Sequence, residues 1–184
     1  MEPVTLRAPG LLLRPWTPDD VDAVHAALAD PDIRLWNGSG AGSREDTAAL
    51  VARRADWSAG DHASFAVTDE AGLLLGSVSL HAIDRDQADA EMGYWVVPAA
   101  RGRQVAVRAV DVVCGWGFAT LAVDRVQLFH AVENEPSGRV AARAGFTLEG
   151  RLRRSHRYGD GVRHDELLWS RLSDDPPAPI SSRS

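Results

Sequence analysis

Apolar and polar positions follow two rhythms along the chain, and the switches between them mark its elements. LLLRPW (11–16) reads as a strand. TPDD follows, with Thr17 as N-cap, Pro18 at the first helical position, and Asp19 and Asp20 in the first turn. Val21, Val24 and Leu28 fall on one face at helical spacing. This helix is expected to end near Asp30–Pro31, because a residue before proline avoids helical angles. Residues 32–42 contain NGSGAG and read as a loop, whose Trp36, Asn37 and glycines either border a substrate site or form a surface connection. Ser43, with Asp46 three residues on, opens a second helix to about Trp57. SFAVTD (64–69) and LLLGSVSLHAI (73–83), joined by Glu70-Ala71-Gly72, predict a hairpin with a bulge at Gly76. AEMGYWVV (90–97) completes a three-strand antiparallel meander.

Pro98 stops that strand. A loop, AARGRQ, comes next, then a helix from Val105 to about Ala119. RVQLFHAV (125–132) comes after strand and helix, so it can pair parallel to AEMGYWVV through a crossover. Asn134 to Ala144 predicts a helix closed by Gly145. FTLEGRLRRSHRY and VRHDELLWSRL form a final hairpin around GDG (159–161). These elements predict one domain over 1–172, and SDDPPAPISSRS (173–184) has the composition of a disordered tail.

A length of 184 residues suits one domain with a sizeable core. The net charge of −6 argues against nucleic acid as a partner. No apolar run is long enough for a membrane span, and MEPVTLRAPG does not read as a signal peptide, so a cytoplasmic location is expected. The one cysteine, Cys114, sits among apolar residues and reads as an inert buried thiol. The histidines are scattered and no Cys/His spacing suits zinc, so no metal is expected. All 20 basic side chains are arginine, which reflects coding composition and carries no functional reading. RLRRSHR (151–157) is a local basic run, either a solvated hairpin edge or a patch for an anionic partner.

Candidate chemistry concentrates between Ala88 and Leu121. Strand, tight loop, helix is an arrangement that aims unpaired N–H groups and the positive end of a helix at an anion. Arg101 and Arg103 add charge there, and a diphosphate site is expected in this loop, with an acyl thioester along the preceding strand.

The element order, with Arg101, Gly102, Arg103, Gln104, Val105 and Ala106 in the loop and Asn134, Ser137, Gly145 and Phe146 further on, resembles the GNAT acyltransferase superfamily over roughly Leu11 to Leu172. LLLRPWTPDD, AEMGYW, ENEPSGRVAARAGF and GDGVRHDELLWSRL resemble its RimJ/RimL branch of ribosomal-protein N-terminal acetyltransferases. The resemblance implies an α/β (α+β) fold, a mixed, mostly antiparallel sheet of about seven strands flanked by about four helices and splayed between the fourth and fifth strands. It implies acetyl-CoA, or another acyl-CoA, as co-substrate and an amine acceptor, either a protein N-terminus or a small molecule; by analogy a homodimer is left open. Two departures stand out. Many members carry tyrosine seven residues after the asparagine, where this chain has Ala141. The fourth loop position is usually glycine, and here it is Gln104: in right-handed helical backbone, the favoured reading, it is tolerated, and where positive φ is needed the site is strained or weakened.

Acyl transfer to an amine needs a held donor, a deprotonated amine, a stabilised oxyanion and help for the leaving thiolate. The donor's diphosphate would lie on Arg101 to Ala106. Its pantetheine amides would pair with the backbone of Trp95, Val96 and Val97, where a strand N–H can also polarise the thioester carbonyl. Glu91 is the candidate base; the alternatives are an ion pair with arginine or an orienting role. Ser137 is the candidate near the leaving sulfur, or a helix-start residue. Asn134 would pair with pantetheine or cap the helix, and Arg139 would reach donor phosphates or stay at the surface. Trp36, Trp95 and Tyr158 are candidates for an acceptor pocket, and Asp165 for a structural role in the last hairpin. A same-fold protein that binds or senses acyl-CoA without efficient turnover, motivated by Gln104 and Ala141, is the competing reading. A dinucleotide module is disfavoured: GxGxxG is absent and the strands preceding the loop form a meander.

Overall fold

The computed structural model describes residues 1–37 and 42–178. The expected order of elements is present. β2 (Leu11–Pro15) leads into α1 (Val21–Leu28), and α3 (Arg44–Ala55) into β3 (Ala63–Thr68), β4 (Leu74–Asp84) and β5 (Asp89–Val96). Then come α4 (Val105–Thr120), β6 (Arg125–Ala131), α5 (Glu135–Arg143), β7 (Thr147–Arg157) and β8 (Arg163–Leu172).

Two elements exceed the expectation, giving eight strands and five α-helices among the described residues. β1 (Leu6–Ala8) is only three residues long, too short for a visible rhythm, and pairs with β2 through a turn at Gly10. α2 (Pro31–Asn37) occupies the first part of the expected loop. Proline ends α1 and also stands at the start of α2, where its missing N–H costs nothing. Asp30 Oδ1 accepts from Ile33 N–H at 3.1 Å, securing that start. Gly38 and Gly40 of the expected loop, and 179–184 of the expected tail, lie outside the described residues. Past 172 the chain stays attached: Ser173 N–H donates to Asp124 O at 2.9 Å and Leu172 N–H to Asp175 Oδ2 at 2.8 Å.

The sheet runs β1-β2-β3-β4-β5-β6-β8-β7, antiparallel except at β5–β6. One face packs on α4 and α5 through Leu13, Phe65, Val78, Leu80, Val110, Val113, Val126 and Leu128, all at most 1% exposed. Burying each such side chain is worth about 1.5–3 kcal/mol relative to exposure. The other face packs on α1, α2 and α3 through Trp16, Val24, Leu28, Ile33, Val51 and Trp95. Local caps set the helix starts. Ser43 Oγ accepts from Asp46 N–H at 3.1 Å at the start of α3, while the expected helix start at Thr17–Pro18 is a 3-10 turn (Pro18–Asp20), closed by Thr17 N–H donating to Asp20 at 2.8 Å, with α1 following from Val21.

The bulge lies in β4 at Leu75, beside Gly76: Val67 pairs with Gly76, and Thr68 with Leu74. A Cβ on Gly76 would stand 2.3 Å from Trp95 O, so glycine here lets β4 and β5 approach closely.

One pairing positions the site. β5 and β6 run parallel only across Asp89–Arg125, Ala90–Val126 and Glu91–Gln127. Beyond Glu91 they diverge, as expected, between what are the fifth and sixth strands once β1 is included.

Candidate active site

The divergence opens a cleft of about 1100 Å³. It reaches from Gly102, Gln104, Val105, Ala106 and Val107 at the start of α4, along Met92 to Val96 of β5, to Glu91, His156, Tyr158 and Glu166. Asn134, Ser137 and Arg139 of α5 and the turn before it form the facing wall. Most of the expected site residues are therefore gathered into one continuous space.

α4 starts at the loop. It is 16 residues long, its first residues Val105, Ala106 and Val107 line the cleft, and the N–H groups of a first helical turn have no partner within the helix. Gly102 (φ 76°) and Gln104 (φ 58°) both take left-handed backbone to bend the chain into α4. This corrects the right-handed conformation expected for Gln104. The turn, set by where β5 ends and α4 must begin, needs positive φ whatever residue occupies it, and a non-glycine there is strained by about 1–2 kcal/mol.

The two loop arginines have different surroundings. Arg101 donates to Asp30 at 2.5 Å and Asp32 at 2.9 Å, pinning the loop to the α1–α2 junction. Arg103 is exposed, and its side chain lies outside the cleft lining, while its carbonyl accepts from Arg108. Trp95 and Val96 line the cleft; Val97 does not, and its N–H is spent on Leu75 O at 2.9 Å and its carbonyl on Ala100 N–H. Trp95 packs against Trp16 with ring centroids 6.4 Å apart, and its indole N–H is buried without a protein acceptor among the described residues.

Glu91 stands where the parallel pairing ends, with its carboxylate 3.4 Å from His81 Nε2. Loss of hydration lowers the His81 imidazole, with Glu91 pulling the other way.

Asn134 is the N-cap of α5, with Oδ1 accepting from Ser137 N–H at 3.4 Å. Ser137 is therefore inside the helix, not its cap, and its hydroxyl is 2.6 Å from Tyr94 Oη. Arg139 sits on the rim, 3.4 Å from Glu135. Ala141 is fully buried.

The far end of the cleft is built from α2 and the last hairpin. Gly159 N–H donates to Leu35 O at 2.9 Å, and Trp36 meets the Tyr158 ring edge-on at 5.4 Å. Tyr158 donates to Glu166 at 2.7 Å, and burial followed by that bond pushes the phenol up, so it stays protonated. Glu166 and Tyr94 were not singled out in the sequence. Glu166 lies in a strand rhythm that looks solvent-facing, and Tyr94 in a motif read for its neighbours Glu91 and Trp95. Asp165 has a structural role, accepting from Arg154 N–H and Arg151. β7, which carries the basic run, forms the sheet edge and is exposed along nearly its whole length. Burial pushes the Cys114 thiol up to about 12, leaving it inert.

A mixed sheet whose parallel pair splays open beside a helix N-terminus defines an α/β domain with a preformed cleft. The chain belongs to the acetyltransferase (GNAT) domain family, whose model matches residues 10–147. Over 101 residues it is 36% identical to the provisionally named ribosomal N-acetyltransferase YdaF of Bacillus subtilis, a match spanning 55% of each chain. It is 29% identical over 101 residues to the ribosomal-protein-serine acetyltransferase of Escherichia coli, covering 55% of this chain and 56% of that one. The chain thus spans about half the length of the curated relatives it matches. Among solved structures, a GNAT-family acetyltransferase from Bacillus anthracis superimposes with TM-score 0.83 at 25% identity, covering 94% of this chain and 100% of that one. The ribosomal L7/L12 alpha-N-protein acetyltransferase RimL, solved with coenzyme A, shares the fold with TM-score 0.82 at 20% identity, over 92% and 98% of the two chains.

Proposed function

We propose that the protein transfers an acyl group, most simply acetyl from acetyl-CoA, to a primary amine by direct attack. The observation that carries this is the continuous cleft from the α4 N-terminus, past the divergence of β5 and β6, to Glu91 and Tyr158. The fit is chemical as well as spatial. Free N–H groups at the start of α4 suit a diphosphate. Backbone beside the β5 divergence suits an amide-bearing arm laid along a strand. When bound, the coenzyme supplies an activated thioester carbonyl.

The chain's own residues do the rest. Gly102 to Ala106 hold the phosphates through backbone, and Arg139 adds charge at the rim. Arg101 supports that loop through Asp30 and Asp32. Trp95 and Val96 orient the arm. Glu91 takes the acceptor's proton, directly or through water. Ser137 offers a hydrogen bond to the departing sulfur, and Asn134 holds the turn from which α5 projects it. The acceptor is a protein N-terminus or a small amine entering past Trp36 and Tyr158, in a cytoplasmic enzyme.

Release of free thiol from acetyl-CoA in the presence of an amine panel tests the reading; no thiol above the amine-free rate would sink it. Glu91→Gln should lower the maximal rate about 100-fold or more and remove the acidic limb of the pH profile. An unchanged rate and apparent pKa would take Glu91 out of proton transfer. Strain at Gln104 favours a second reading, a weakly turning-over acyl-CoA sensor, for which donor binding would persist without thiol release.

A further inference from the structure

The Tyr94–Ser137 contact has no part yet in the chemistry. The two residues are 43 positions apart and come from facing walls of the cleft, Tyr94 from β5 and Ser137 from α5. Their oxygens are 2.6 Å apart, and Tyr94 Oη is also 3.2 Å from Ser137 O. Burial pushes the phenol up, so it keeps its proton throughout the working pH range.

Two hydroxyls carry two hydrogens, and one lies between them. If Ser137 donates, the phenol hydrogen turns to the helix carbonyl of Ser137, and nothing faces the cleft. If Tyr94 donates, the serine hydrogen is left over and is free to meet a ligand. An anionic sulfur arriving beside Ser137 selects the second arrangement, because only that one offers it a donor.

We propose that Tyr94 is a positioning residue for Ser137, its phenol donating to Oγ so that the serine hydrogen faces the leaving sulfur. This rests on the assignment of Ser137 to that sulfur. The acceptor nitrogen bonds to the thioester carbonyl carbon; as the carbon–sulfur bond then breaks, its electron pair stays on sulfur and the carbonyl re-forms as an amide. Neither hydroxyl is deprotonated: the proton lost by the acceptor nitrogen balances the thiol produced. Tyr94 also makes the serine oxygen less electron-rich, so Ser137 becomes a stronger donor than a lone serine.

The test is a double-mutant cycle on Tyr94→Phe and Ser137→Ala. It reads single-turnover rate, KM for acetyl-CoA and the melting shift produced by coenzyme A. Tyr94→Phe should slow the single-turnover rate about tenfold, the worth of one hydrogen bond, with KM and the melting shift unchanged. Adding it to Ser137→Ala should cost nothing further. A tenfold loss that persists in the Ser137→Ala background overturns the proposal, as does an unaltered rate in Tyr94→Phe or a loss confined to KM and coenzyme binding. If Ser137→Ala itself is fully active, the assignment of Ser137 fails while the acyltransferase reading stands. Should Tyr94→Phe not fold, fluorotyrosine at 94 keeps the shape and makes the phenol more acidic. The rate then rises if the proposal holds and is unmoved if it does not.

Discussion

Gln104 carries its backbone at φ 58°, and the cost sits in one residue at the start of α4. Glycine would relieve the strain but gain freedom in the unfolded chain, so the two effects partly offset. Gln104→Gly is expected to stabilise the fold by about 0.5–1 kcal/mol, and Gln104→Val, with its branched Cβ, to destabilise it by more than that. Urea unfolding of the three proteins checks the order. Such a residue is illegible in sequence because its dihedral is imposed by the elements on either side. Ser43–Asp46 is the opposite case: donor and acceptor are three residues apart, and the cap of α3 is present as read, whereas Thr17 and Asp20 meet around a 3-10 turn (Pro18–Asp20) that precedes α1.

Among the elements, the last three strands of the sheet are tied by charge. Arg125 of β6 holds Glu149 of β7 at 2.8 and 2.5 Å, and Ser170 of β8 adds a bond at 2.6 Å. The Arg125 bonds, then that of Ser170, hold the Glu149 carboxyl at about 2, against an ordinary value of 4.5. A depressed carboxylate binds fewer protons folded than unfolded. Its contribution is therefore complete above pH 4.5 and is lost as pH falls toward 2. Glu149→Gln should be less stable than the native chain at pH 7, and the gap should narrow across that window; melting curves from pH 7 to 2 measure it. All strands but the three-residue β1 were legible in the sequence, and so was the parallel crossover. α2 was not, because its seven residues are too few for a periodic pattern and its glycine-rich continuation dominates the stretch.

For the molecule as a whole, contacts in and around the cleft join residues far apart in the chain: Tyr94 with Ser137 in its walls, and Asp30 with Arg101 and Leu35 with Gly159 beside it. A ligand filling it should stabilise all these contacts together. Coenzyme A at 100 times its dissociation constant should raise the melting temperature by roughly 5–10 °C, since about 2.7 kcal/mol is added to a chain of this size. Differential scanning calorimetry with and without the coenzyme reads this directly. By itself the sequence determined what depends on near neighbours: the helix starts, the strand rhythm, the strand–loop–helix that offers its N–H groups, and the motifs that place the chain in its family. Only the tertiary structure decided the angle of Gln104, the tethering of Arg101, the spent N–H of Val97 and the meeting of Tyr94 with Ser137. Those depend on how the sheet's splay and the helix packing bring distant backbone together, and no local spacing encodes that distance.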